Sequence, residues 1–175
     1  MWKAALAGGI GGLVGTWAMN EAQRAWTRAV EGEPPESAAG KHDARDWQER
    51  SEGQNSNEIA AQAVATRTIG RRLDRDELAV AAAVTHFTFG AAVGALYGST
   101  TGRRPRVATG IGFGLAVWLL ADEIAMPLLG LSESTLRRPL EKRLQSIAAH
   151  IVFGIAAELT RVAVRQIDQP RLRAA

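Results

Sequence analysis

The chain has 175 residues, 46% of them hydrophobic and 22% charged, with 18 Gly, no Cys and a formal charge of +3. The lack of Cys excludes disulfides, thiolate metal sites and a cysteine nucleophile. The small positive charge, with Arg set beside apolar runs, fits membrane flanks better than a nucleic-acid surface, so no nucleic-acid partner is expected.

Mean hydropathy is near zero, but the charges are segregated and several windows carry none. The first apolar segment runs from Ala4 to Met19, "AALAGGIGGLVGTWAM", with Lys3 before it and Asn20-Glu21 after it. No small-x-small cleavage site follows, which predicts a retained helix, not a secretory signal. It is expected to continue through "NEAQRAWTRAV", making residues 1–30 a spanning helix with an interfacial extension around Trp26. Residues 31–57 read as a polar acidic loop. Between Glu31 and Glu58 stand eight acidic residues against Lys41, Arg45 and Arg50, and His42 there reads as solvated. Residues 58–73 are predicted to form an amphipathic helix on the membrane surface, with Ile59, Ala63 and Val64 on one side and Arg67, Arg71 and Arg72 beyond.

Residues 74–165 read as three further spanning helices, and 166–175 as a polar tail. Asp74 or Asp76 caps the second apolar segment, Leu78 to Ser99. A basic turn, "TGRRPR", leads to the third, Val107 to Leu131, which Asp122 and Glu123 interrupt. Leu136, Leu140, Leu144 and Ile147 recur at helical spacing ahead of the fourth, about Leu144 to Leu159. About 20 apolar residues cross a bilayer as a helix. The second and third segments meet that length, while the first and fourth need help from flanking turns. A soluble bundle would show a polar face, and Leu78 to Ser99 has none. The expected fold is all-α: a polytopic membrane protein with a four-helix transmembrane bundle.

Glycines supply the packing signal. Gly8 and Gly12, Gly11 and Gly15, then Gly90, Gly94 and Gly98, then Gly110 and Gly114 repeat every four residues. In lipid such spacing lets helix backbones approach closely. Gly110-Ile-Gly112-Phe-Gly114 therefore reads as packing, not as a dinucleotide loop, since no strand precedes it. No phosphate loop, nucleophile elbow or H-E-x-x-H is present, and no enzyme is expected.

Alternating helix directions bring His86, His150, Asp122, Glu123, Asn20 and Glu21 toward one membrane face. An ionisable residue inside a spanning helix is a functional candidate by default. Four chemistries are open: a hydrogen-bonded lock, a divalent metal held by His86, His150, Asp122 and Glu123, a proton-handling site, and a bis-histidine haem. Glu158 either joins this cluster from deeper in the bundle or pairs with Arg161 near the opposite surface.

"VTHFTFGAAVGALYG", "DEIAMPLLGL" and "AAHIVFGIAAELTR" resemble the YagU-like family of bacterial inner-membrane proteins, over roughly Val84 to Arg161. Some members of that family carry His where Asp122 stands. The resemblance implies a multi-pass protein of the bacterial inner membrane, with some members linked to acid tolerance. Two functions are carried forward. In one, the polar cluster binds a metal or manages protons. In the other, the chain is a structural subunit, a homo-oligomer or part of a larger membrane complex, packed through its glycine faces. Positive charge flanks both membrane faces; the acidic insert and the basic turn incline toward cytoplasmic termini.

Overall fold

A computed structural model describes residues 2–31, 56–102, 106–131 and 139–167. Most of the expected acidic loop with His42, the Arg103-Arg104 turn, Leu136 and the tail from 168 lie outside the described residues. The described elements are α1 (Trp2–Glu31), α2 (Ser56–Ile69), α3 (Arg75–Thr100), α4 (Val107–Trp118), a π-helical turn (Leu119–Ala125), α5 (Met126–Leu128) and α6 (Leu140–Ile167). Among the described residues there is no strand.

α1 is a single helix of 30 residues that runs on through Asn20, Glu21 and Trp26. α6 is longer than its apolar run, because Leu140, Leu144 and Ile147 belong to the same helix. α2 starts two residues before the expected Glu58 and stops at Ile69, where Gly70 takes φ 70° and reverses the chain. Its buried line is Ala61 and Ala65, one turn apart, which pack toward α3. Of the expected Ile59, Ala63 and Val64 face, Val64 is exposed and Ile59 and Ala63 are half-buried.

The entry to α3 is heavily tied. Asp74 accepts from the Glu77 amide at 2.9 Å, and Glu77 accepts from the Asp74 amide at 3.0 Å, a reciprocal capping box. Glu77 also takes both Arg71 amino groups, at 2.7 and 2.6 Å. That carboxylate holds the exposed Arg71 guanidinium above its ordinary value, by the hydrogen bond first and charge second.

Three helical stretches are long and apolar enough to cross a membrane: Arg75–Thr100, Val107–Leu128 and Leu140–Ile167. α1 has the length but is not among them, so the expected four spans become three by this measure. Its glycines, with Thr16, Asn20, Glu21 and Arg24, dilute its apolar character. Large apolar side chains face outward on the three spans, Leu128 at 81% and Leu96 at 68% exposure among them. Such surface suits lipid and not water.

The helices pack as a chain of neighbours. α1 lies against both α3 and α6, α4 lies against α6, and α2 against α3. Each of the first three contacts is antiparallel: Gly8 meets Gly98 while Gly12 meets Gly90, Gly11 meets Ala157 while Gly15 meets Phe153, and Gly110 meets Gly154 while Gly114 meets His150. α3 and α6 therefore run parallel. Between them Met19, Ala149 and Phe153 form the apolar centre, with Val93, Phe113 and Val117 packed on it.

Candidate functional site

Glycine sets how near the polar groups come. A Cβ on Gly94 would stand 2.5 Å from the Gly8 carbonyl oxygen, and one on Gly98 2.5 Å from that of Ala4. A Cβ on Gly15 would stand 2.7 Å from the Phe153 oxygen, and one on Gly110 2.8 Å from the Gly154 oxygen. Gly12 is pressed on the Gly90 carbonyl and Gly114 on the His150 carbonyl more tightly still. These positions are closed to any side chain. Thr16, fully buried, folds its hydroxyl back onto the Gly12 carbonyl at 2.9 Å, so α1 carries no unpaired hydroxyl into the interface.

With α4 held this close to α6, His150 meets the π-helical turn. Its Nδ1 lies 2.9 Å from the Ser146 carbonyl oxygen. A carbonyl only accepts, so Nδ1 carries a proton and donates it. Nε2 is then the acid–base atom, and it faces Asp122 Oδ2 at 3.9 Å. The Ser146 hydroxyl donates to the same oxygen at 3.2 Å.

The backbone puts Asp122 there. Pro127 has no N–H and its ring crowds the carbonyl four residues back, at Glu123, so a regular helical ladder cannot pass this point. The Met126 N–H instead reaches the Ala121 carbonyl, five residues back, the spacing of a π turn. No residue of this turn is fully buried.

The structure thus brings together His150, Asp122 and Ser146. His86, half-buried on α3, lies within electrostatic range of His150. Glu21 pairs with Arg24 on its own helix and not with the histidines. Asn20 is half-buried on α1, and Glu123 is half-buried on the π turn.

The expected metal site finds no support in this arrangement. Among the described residues no group of three or more His, Asp or Glu is placed to hold a metal ion. His150 Nδ1 is committed to the Ser146 carbonyl, and Nε2 faces Asp122.

Glu158 belongs to the opposite end of the bundle. It and Arg161 are each 1% exposed. Arg161 donates from Nε and Nη2 to Glu158 Oε2 at 2.9 and 2.7 Å, and the Tyr97 hydroxyl donates to the same oxygen at 2.9 Å. The Arg106 amide, at the start of α4, takes the other oxygen at 3.2 Å. Arg161 Nη1 then donates to the Gly102 carbonyl at 2.8 Å, and Arg165 Nη2 to that of Gly98 at 2.6 Å. Two arginines of α6 thereby satisfy carbonyls left open where α3 ends. Tyr97 stacks on Phe113 with ring centres 4.0 Å apart, which links α3 to α4. Sequence reasoning does not reach Tyr97, which stands 61 residues from Glu158; the Glu-x-x-Arg spacing alone points to the ion pair.

These features define an all-helical, multi-pass membrane protein with two internal polar ties, one at each end. Residues 61–159 match the family described as a protein of unknown function, DUF1440, and the chain belongs to that family. No curated protein and no solved structure matches the chain.

Proposed function

We propose that this chain is a bacterial inner-membrane protein whose His150–Asp122 pair holds a proton within the bilayer. The observation that carries the reading is the direction of the imidazole. With Nδ1 committed to the Ser146 carbonyl, Nε2 faces a carboxylate oxygen across 3.9 Å. Without a proton between them, two lone-pair atoms oppose each other. With one, an imidazolium faces a carboxylate, and at that separation the attraction is about 4 kcal/mol at an effective dielectric of 20.

The inner-membrane assignment draws on three apolar helices and on the resemblance to YagU-like proteins. α1 serves as a fourth membrane helix, since it lies antiparallel along both α3 and α6. A proton held inside the bilayer is also the chemistry that an acid-tolerance role would need. A second reading, an accessory subunit that packs on a partner helix, is supported by Gly112, which faces open space on α4 while the glycines before and after it, Gly110 and Gly114, are closed by α6.

The test is a titration of isotope-labelled imidazoles by NMR in mild detergent, from about pH 5 to 8, where histidine ordinarily changes charge. The expected result is one ring that takes up a proton, disappears in His150→Gln and titrates differently in Asp122→Asn. A His150 ring that is indifferent to pH, or to the loss of Asp122, removes the proposal.

A further inference from the structure

The contact glycines of the bundle all lie to one side of His150. Gly8, Gly11, Gly12 and Gly15 on α1, Gly90, Gly94 and Gly98 on α3, and Gly110 on α4 with Gly154 on α6 press on neighbouring backbone, and Gly114 marks the boundary by touching the His150 carbonyl. Residues 16–31, 75–89, 115–128 and 140–149 contain no glycine. One half of the bundle is thus zipped at backbone distance, and in the other half side chains set the helix spacing.

The unzipped half has a polar interior. Thr27, 4% exposed, accepts from Gln145 Nε2 at 3.3 Å between α1 and α6. Trp26 neighbours Thr27, and Trp118 stands one turn past Gly114, at the level of Ser146. Each of the two indoles buries an N–H that has no hydrogen-bond partner among the described residues. A buried donor of this kind marks an ordered water. The Asp122 side chain is 22% exposed where that of His150 is 8%, so the pair is reached from the Asp122 side. Glu141, Lys142 and Arg143 open α6 at this end, about 12 Å along the helix from His150.

The zipped half is a septum. Residues 4–19, 87–96, 107–118 and 151–157 carry no ionisable side chain. Met19, Phe153, Phe113 and Val117 fill the centre, and the Thr16 hydroxyl is turned back onto its own helix. About 12 Å of α6 separates His150 from Glu158, and there the tie to Arg161 and Tyr97 closes the far end. A charge crossing that apolar stretch would be buried without a partner. His86, Glu21 with its Arg24, and Glu123 also lie outside the septum, so none of them bridges it.

We infer that the His150–Asp122 pair exchanges its proton with one side of the membrane alone, the side at which α3 and α6 begin, through water seated on the Trp26 and Trp118 indoles. The inference rests on the proton reading above for its purpose and on the glycine pattern for its geometry. The pair is then a one-sided sensor of proton concentration and not a conduit.

The test places single cysteines in the cysteine-free chain and treats right-side-out and inverted membrane vesicles with a charged, membrane-impermeant thiol reagent. Glu141→Cys, exposed at the start of α6, marks the near side, and Gly102→Cys, exposed beyond α3, marks the far side. Gln145→Cys and Ser146→Cys are expected to react in the vesicles where Glu141→Cys reacts, and to be silent where Gly102→Cys reacts. Reaction in both kinds of vesicle, or in neither, overturns the inference. Wild-type chain in liposomes with a sealed pH dye is expected to pass protons no faster than protein-free liposomes. A flux that His150→Gln abolishes also overturns it. One-sided labelling beside a His150 ring that does not titrate supports the water entry and removes only the proton reading.

Discussion

Gly112 and Gly114 lie one residue apart on α4, and the same substitution is expected to act on them in opposite directions. A Cβ on Gly112 meets nothing within 4 Å. Gly112→Ala therefore keeps only the gain in helix propensity, about 0.5–1 kcal/mol. A Cβ on Gly114 overlaps the His150 carbonyl oxygen and stands 2.8 Å from its carbon, both rigid backbone of α6. Ordinary contact begins at 3.4 Å, and the oxygen is overlapped more deeply than the carbon, so α4 must retreat by well over about 0.6 Å. Overpacking costs about 1–3 kcal/mol, and overlap with rigid backbone falls in the upper half of that range, about 2–3 kcal/mol. Set against the propensity gain, Gly114→Ala is expected to be destabilising by about 1–2 kcal/mol, or roughly 2–8 °C in a melt of a chain this size. The assay is thermal unfolding followed by far-UV circular dichroism, with wild type and both variants in the same mild detergent. Equal effects at the two sites, or a neutral Gly114→Ala, would falsify the account of α4 as held to α6 by backbone contact.

Three further outcomes follow from the polar ties. Glu158→Ala leaves the Arg161 guanidinium buried without its counter-charge, and a loss of about 3–5 kcal/mol is expected in the same melt; Glu158→Leu with Arg161→Met should lose less than Glu158→Ala alone, and a larger loss in the double variant refutes the assignment. Asp74→Ala removes one half of the capping box and is expected to lower stability by about 1 kcal/mol, with hydrogen exchange accelerated only in the first turn of α3. Pro127→Ala restores a donor for the Glu123 carbonyl, so the π turn is expected to tighten to α-helical spacing. Slower amide exchange from Leu119 to Ala125 is the expected readout, and unchanged exchange counts against the role given to Pro127.

Helix order and glycine contacts are legible in the sequence because a four-residue glycine repeat is itself a contact geometry. The repeats on Gly8 to Gly15, Gly90 to Gly98 and Gly110 to Gly114 all lie on helix–helix contacts. Gly154 is not legible in this way: it stands alone on α6, and its reason for being glycine is the backbone of α4. The gathering of His150 and Asp122 follows from alternating helix directions and can be read ahead. The turn before Pro127 cannot, because its widening is a backbone response and not a residue pattern. The Tyr97 tie to Glu158 is equally hidden, because hydroxyl and carboxylate meet only once three helices have docked. On α2 the buried residues are Ala61 and Ala65, which the apolar pattern of Ile59, Ala63 and Val64 does not single out.

The reach of Arg161 and Arg165 from the last helix to Gly98 and Gly102 bears on how the chain is made. Until α6 leaves the ribosome, the end of α3 has open carbonyls, and the faces of α1 and α4 that it will cover have only lipid beside them. The earlier helices are thus a provisional assembly, exposed to proteases and to insertion chaperones. A nascent chain stalled before residue 140 should accordingly be degraded far faster than one released after residue 167.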